Sequence, residues 1–340
     1  MVAAVETMAW TGEEPWHREG VKVAPDLTPE EMMIAAGLDW NVSKRPGYTI
    51  DTPKYGEDSG LIQAVDTYHL VRDSDNTILA SCGPVYIPTQ NRQVFDFFKK
   101  FSTAADFTME TAGSLRGGKS IWALAKVPSD FELPGEDKVE GYLLFHSPHE
   151  PGQTLTGRFT PVRVVCNNTL QYAMQSGAAN FRMSHIHEFD GKMAHKAAEV
   201  LGLTQEANAE FKQAAEFLVS KKAKHENVLE FVAHLYQPDV LETRRQEREL
   251  KAAGKKVGEE APLIDEFNRY SKLAVDALEK APGAHLKSAA GTWWGALNAI
   301  TYVEDHLRTG ENAVYNSLLG VGSKRKSRAL DLALDYAKAA

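Results

Sequence analysis

The composition and the prevailing periodicity of the chain shift near residue 188, and that shift limits the folds open to it. Before it, apolar residues recur in short alternating runs broken by turn residues. After it they recur every three or four positions, in segments rich in Ala, Leu, Glu and Lys. A period of two places one side of a strand against a core, whereas a period of 3.6 does the same for a helix. The expected fold class is therefore α+β. A β-rich mixed-sheet N-terminal half, 1–187, carries antiparallel strands and a basic hairpin, and an all-helical C-terminal half, 188–340, follows it as a separate domain or packed on it as one unit. With 340 residues, 43% hydrophobic and 25% charged, the chain has material for a sizeable core without disulfide or metal staples.

Local signals place the elements. Residues through Gly20 look irregular, with Trp10, Pro15, Trp16 and His17 interrupting any period. Thr28-Pro29-Glu30-Glu31 then reads as a helix start: a Thr N-cap, a Pro at the first helical position and a Glu in the capping-box place. The helix is expected to stop near Gly37. Residues 67–72 and 77–81 flank Asp73-Ser74-Asp75-Asn76 as a hairpin, and Val94, Phe97, Phe98 and Phe101 share one side of a short helix over 92–101. A second hairpin joins 107–115 to 120–127 through Arg116-Gly117-Gly118-Lys119. Extended runs follow over 138–146 and 154–166. Asn167 or Asn168 is expected to cap a helix through Leu170 and Met174, and 181–186 to form one last strand. In the second half, stripes at Phe211/Ala214/Ala215/Leu218, Trp293/Leu297/Ile300 and Leu330/Ala333/Leu334/Ala337 mark helices, and 244–256 reads as a charged helix end and loop.

The net charge of −8 weakens non-specific attraction to a polyanion but leaves room for a local basic surface. Two cysteines, Cys82 and Cys166, in apolar surroundings fit a reducing compartment. No basic leader opens the chain, and no apolar run approaches the roughly 20 residues needed to span a bilayer. The expected location is the cytoplasm, with no membrane partner.

Two regions bring chemistry together. The turn 113–119 sets Arg116 and Lys119 on glycines whose N–H groups can approach a phosphate; the simpler alternative is a tight hairpin with a basic tip. Further on, Arg158-Phe159-Thr160-Pro161-Val162-Arg163 runs into Asn167-Asn168-Thr169. Pro161 marks this as an edge or bulged strand. Its functional reading is a phosphate contact at Arg158, Arg163, Asn167 and Asn168; in the alternative, Arg163 satisfies an internal carboxylate. Trp122 and Phe159 lie beside these cations, as in single-strand recognition by stacking, although strand aromatics belong to cores as a rule. His146-x-x-His149-Glu150 and His185-x-His187-Glu188 offer metal ligands at undiagnostic spacings, so no metal and no cofactor is expected. Cys166, after two valines, reads as an inert thiol.

Several spaced motifs also carry a resemblance. Glu6-Thr7-Met8-Ala9-Trp10, Pro15-Trp16-His17, Thr28-Pro29-Glu30-Glu31-Met32, Ala35-Ala36-Gly37-Leu38-Asp39-Trp40, Thr111-Ala112-Gly113-Ser114-Leu115, residues 159–170, Gly291-Thr292-Trp293-Trp294 and Gly322-Ser323 together resemble the phage/plasmid-like protein family built on domain of unknown function 932, nearly end to end. The resemblance implies a task in the biology of phages and plasmids, carried out in the host bacterial cytoplasm.

Three functions are expected in descending order. The first is a DNA-metabolism accessory, an oligomeric protein that binds or anneals single-stranded DNA through Arg116, Lys119, Arg158 and Arg163. The alternative is a non-enzymatic interaction protein that engages itself or a host defence or replication factor through its amphipathic surfaces. An enzyme acting on a phosphorylated small molecule ranks last, because no acid–base pair is evident.

Overall fold

The computed structural model describes residues 5–12, 19–50, 60–102, 107–166, 168–169, 180–192, 195, 199, 204–256, 261–310 and 312–339. Strands β1 to β11 span Val5–Trp10, Val21–Lys22, Val42–Ile50, Leu61–Arg72, Ile78–Cys82, Thr108–Leu115, Ser120–Leu133, Asp137–Pro148, Thr154–Arg163, Asn168–Thr169 and Asn180–Ser184. Helices α1 and α2 cover Pro29–Ala35 and Asn91–Ser102. Helices α3 to α9 cover Thr204–Ser220, His225–Tyr236, Pro238–Ala252, Arg269–Lys280, Trp293–Tyr302, Ala313–Leu318 and Val321–Ala339. The fold is α+β, with the sheet strands in the first half and most helices in the second.

The strands form two sheets. One runs in the order β10-β9-β8-β7-β6-β1-β2 with β11 also on β9, and the other is the antiparallel meander β3-β4-β5. The chain divides into two compact units that interleave in sequence. The first comprises Met1–Pro128, Tyr142–Phe159 and Met174–Gln205; the second comprises Ser129–Gly141, Thr160–Ala173 and Glu206–Ala340.

In the first unit the Thr28 cap forms as the sequence dictates. Its backbone N–H donates to Glu31 Oε2 at 2.8 Å while the Glu31 N–H donates to Thr28 Oγ1 at 3.3 Å, which satisfies two N–H groups a helix start leaves open. The core gathers Phe97 and Phe98 of α2 with Phe145, Phe181 and Phe189, with ring centroids 4.9 to 6.2 Å apart where Phe145 meets Phe97, Phe98, Phe181 and Phe189. In the second unit α7 supplies Trp293 and Trp294, both fully buried. Trp293 stacks on Tyr336 at 5.2 Å and meets Phe231 edge-on at 5.6 Å.

Three expectations change. The N-terminal segment is not irregular throughout, since β1 pairs antiparallel with β6 and parallel with β2. Met8, Ala9 and Trp10 are buried in succession, which hides the alternation by which a strand is read. The run 154–166 does not remain extended, because Val164–Cys166 closes into a 3-10 turn. Asn168 and Thr169 do not open a helix; they pair antiparallel with Arg163 and Val162. The remainder of that expected helix, 170–174, lies outside the described residues. Pro161 falls between the pairing of β9 with β11, which ends at Arg158, and its pairing with β10, which begins at Val162. A residue without an N–H donor suits that gap.

Candidate functional site

The basic hairpin forms as expected. Arg116, Gly117 and Gly118 all take left-handed backbone angles (φ of 57°, 68° and 83°), which glycine adopts without steric cost. Arg116 points its guanidinium at the Glu150 carboxylate and forms an ion pair with it. Lys119 is half-buried, and its carbonyl accepts from the His149 N–H at 2.8 Å. Trp122 is a core residue rather than a stacking platform. It is buried, its indole N–H donates to Thr111 Oγ1 at 3.2 Å, and its ring fills the space above Gly113.

The strand β9 places its side chains inward in the same way. Phe159 is buried and has no face to offer a base. Arg163 is 1% exposed, and this corrects its assignment as a surface phosphate contact. Its Nε donates to Asp137 Oδ1 at 2.7 Å and its Nη2 to the Gly283 carbonyl at 3.0 Å. Asp137 Oδ2 in turn accepts from Ser288 Oγ at 2.5 Å and from Trp294 Nε1 at 3.0 Å. The internal-carboxylate reading of Arg163 is the one that holds. Arg158 is half-buried, and its guanidinium pKa is lowered to about 10, first by burial and then by Arg182 on the neighbouring strand β11. Asn168 lies in β10, and Asn167 lies outside the described residues. Of the eight residues named for a phosphate and base site, Trp122, Phe159 and Arg163 are therefore buried and offer no exposed contact.

What the sequence pattern left scattered, and the first unit brings together, is a set of buried histidines. His146, His149 and His185 are each at most 5% exposed. His146 Nε2 bonds Ser120 Oγ. His149 Nε2 lies 3.0 Å from Asn91 Oδ1, and the Asn91 amide donates to the Leu38 and Trp40 carbonyls at 3.0 and 3.3 Å. Those two donations leave Asn91 Oδ1 as an acceptor, so His149 carries its proton on Nε2. His185 stacks on Tyr86 with centroids 4.8 Å apart. Burial pushes His146 and His149 down to about 3, with Arg158 the next cause for His146 and His185 for His149; burial lowers His185 as well. At neutral pH these imidazoles are uncharged hydrogen-bonding groups inside the unit. Among the described residues no group of three or more His, Cys, Asp or Glu side chains is placed to hold a metal ion.

The second unit has its own buried charge. A π-helical turn, Val303–Leu307, follows α7 and presents consecutive carboxylates inward. Glu304 takes Arg308 at 3.1 Å, Arg325 at 2.9 Å and the Tyr236 hydroxyl at 2.8 Å. Asp305 pairs with the fully buried Lys326. Such a turn often marks a functional position, but here both carboxylates are committed to internal partners, as a structural network requires.

One exposed feature was not singled out by sequence reasoning. Beyond Pro46 the pairing of β3 with β4 shifts, and it resumes as Tyr48↔Gln63, Thr49↔Ile62 and Ile50↔Leu61. Residues directly opposite share a face, so Tyr48, Ile50, Leu61 and Gln63 lie together. Tyr48 is 54% exposed, Ile50 65%, Leu61 72%, Ile62 50% and Val65, in the shifted stretch, 87%. The alternation Tyr48-Thr49-Ile50 is visible in the sequence; that Tyr48, Ile50, Leu61 and Ile62 each keep half or more of their surface exposed is not.

The family model described as Domain of unknown function (DUF932) matches residues 78–336. The motifs at 111–115, 159–170, 291–294 and 322–323 fall inside the match, while those before residue 41, and the ribbon of β3 and β4, precede it. No curated protein and no solved structure matches the chain, and among the described residues no helix is long and apolar enough to cross a membrane. With the match covering most of its length, the chain belongs to the DUF932 family.

Proposed function

We propose that the chain is a non-enzymatic interaction protein of a phage or plasmid, working in the host bacterial cytoplasm, and that it docks through the outer half of the β3–β4 ribbon. The observation that carries this reading is the cluster of Tyr48, Ile50 and Leu61 on one face of a two-stranded ribbon, each more than half exposed. Contiguous exposed apolar surface of this kind marks interaction sites. The alternatives have less to stand on. The aromatic residues named for base stacking are buried and Arg163 is internally paired. Nor does any described cluster pair a nucleophile with an accessible base.

A second reading, single-stranded DNA binding or annealing, keeps one supporting observation. Arg158 and Arg182 are cations on the neighbouring strands β9 and β11, and two adjacent guanidiniums suit a phosphate.

The test replaces Gln63, exposed on the same face as Tyr48, Ile50 and Leu61, with a photoreactive amino acid in living cells, with Lys251 on the exposed side of α5 as control. Covalent protein adducts are expected at position 63 and not at 251; equal labelling, or none at 63, overturns the reading. A labelled single strand of about 40 nucleotides, titrated across a salt series, separates the second reading. Steeply salt-sensitive binding that is lost in R158A/R182A and retained in I50K would put nucleic acid in place of a protein partner.

A further inference from the structure

We infer that a groove between α4 and α5 receives an amphipathic helix of another protein, with aliphatic side chains along its inner face, Lys or Arg along one flank and Asp or Glu along the other. The groove lies in the second unit and the ribbon of β3 and β4 in the first. The inference therefore goes beyond the docking reading of the ribbon and does not depend on it.

The groove follows from how the chain turns. Helix α4 ends at Tyr236 and α5 begins at Pro238, so Gln237 alone separates them. With the 3-10 turn Leu263–Glu266 the two helices enclose a groove of about 840 Å³. Leu229, Leu241 and Leu263 give it an apolar lining; each is half-buried and packs on the core of the unit. Polar bonds fix the walls. Buried Arg244 donates through Nε to Glu266 at 2.9 Å and through Nη2 to the Ala261 carbonyl at 2.5 Å, which ties α5 to the turn. The Gln237 amide donates to the Glu266 carbonyl at 3.0 Å and accepts from the Asn268 N–H at 2.7 Å, and His234 meets the Tyr336 hydroxyl of α9 at 2.8 Å. Walls already held in place lose little freedom when a partner is seated.

Charge selects the occupant. On the α4 wall Glu226 and Glu230 stand about one turn apart, and Asp239 continues the acidic side at the corner. Among the described residues none of these three carboxylates has an ion-pair partner. The outer part of the α5 wall is basic, with Arg245 and Arg248. Glu226 and Arg248 lie eleven positions before and after Gln237, so opposite signs flank the end of the groove away from the corner. The Arg245 side chain is 69% exposed, and its contacts with Glu242 and Glu249 are loose, at 3.7 and 3.5 Å; surface pairs of this kind exchange partners at little cost. A partner charged with one sign throughout is repelled by one wall, whereas one with cations on one flank and anions on the other is matched by both.

Spacing selects a helix. The charges on each wall recur every three or four residues, and side chains so spaced on a partner helix also stand about 5–6 Å apart. Those on one side of a strand recur at about 6.7 Å and fall out of step. The α5 wall from Pro238 to Arg248 is about 15 Å long, room for nearly three helical turns. Seating an apolar seam between two helices in this way is an established mode of peptide recognition.

Fluorescence anisotropy on the full chain, with three labelled peptides of about 18 residues, tests the inference. All three carry leucine at i, i+3, i+4 and i+7; the first has Lys on one flank and Glu on the other, the second Glu on both, the third Lys on both. The mixed peptide is expected to bind with a Kd on the order of 10 μM, and the other two at least about tenfold more weakly. The net charge of −8 would by itself favour the all-Lys peptide, so the expected order separates the groove from non-specific attraction. In E226K/E230K both walls are basic, and the all-Glu peptide is expected to bind best. Retained circular dichroism and a cooperative melt confirm that this reversal is not loss of fold. A mixed peptide that does not bind at about 100 μM overturns the inference. So does an all-Lys peptide that binds as tightly as the mixed one, or an E226K/E230K variant that keeps the wild-type order. Adducts at position 63 in cells report on the first unit whatever order the peptides take, so failure here and failure of the ribbon reading are told apart.

Discussion

Arg163 shows how little a cation in a sequence says about where its charge goes. Its strand neighbours Phe159 and Thr160 are buried with it, and its partner Asp137 lies 26 positions earlier in the chain at the start of β8. A buried ion pair is strongly sensitive to loss of one member, because the charge left behind has neither water nor a partner. Arg163→Ala is expected to lower the unfolding free energy by about 3–5 kcal/mol, read as a reduced urea midpoint. Asp137→Ala is expected to do at least as much, since it also strands the Ser288 hydroxyl and the Trp294 indole N–H. A change below about 1 kcal/mol in both would mean that the pair is open to solvent.

At the scale of elements, the strand β6 shows why one glycine can hold a sheet together. Gly113 sits opposite Met8 of β1 on one side and Trp122 of β7 on the other. A Cβ there would lie 2.3 Å from Trp122 Cη2 and 2.5 Å from the Thr7 carbonyl oxygen. Neither neighbour is the end of a flexible chain, so the strands themselves must move. Gly113→Ala is expected to destabilise the protein by roughly 2 kcal/mol or more, measured by chemical denaturation. A neutral result would show that β1 and β6 are not held in this register. The ribbon of β3 and β4 is the contrasting element: its outer residues are not packed on the described core, so charged substitutions there act on association and leave the melting temperature in place.

Across the whole molecule, acid stability follows from the buried histidines. His146 and His149 have folded-state values near 3, against an ordinary value of about 6.5. The unfolded chain therefore takes up protons first as the pH falls. The stability these groups allow is fully present above about pH 7 and is lost progressively from about 6.5 towards 3, at roughly 1.4 kcal/mol per pH unit for each histidine. The urea midpoint is expected to drop between pH 7.5 and 5, and His149→Asn to flatten that slope while lowering stability at pH 7.5; a level profile would place the imidazoles in contact with water. Much of the fold was legible in the sequence: the Thr28 cap, the hairpin of β6 and β7, the aromatic stripe of α2 and the helical second half all follow from local chemistry, in which a few adjacent residues decide the outcome. The strand β1 and the turn at Val164–Cys166 were not legible, because their conformations depend on partners about a hundred residues away or on the end of a sheet. The candidate site was least legible of all. Sequence alone determined which side chains carry charge, which alternate and which cap. Tertiary structure alone decided that Arg163 faces Asp137, that three histidines lose their water, and that Tyr48, Ile50 and Leu61 keep theirs, because burial is a property of what else arrives at the same place and not of the residue itself.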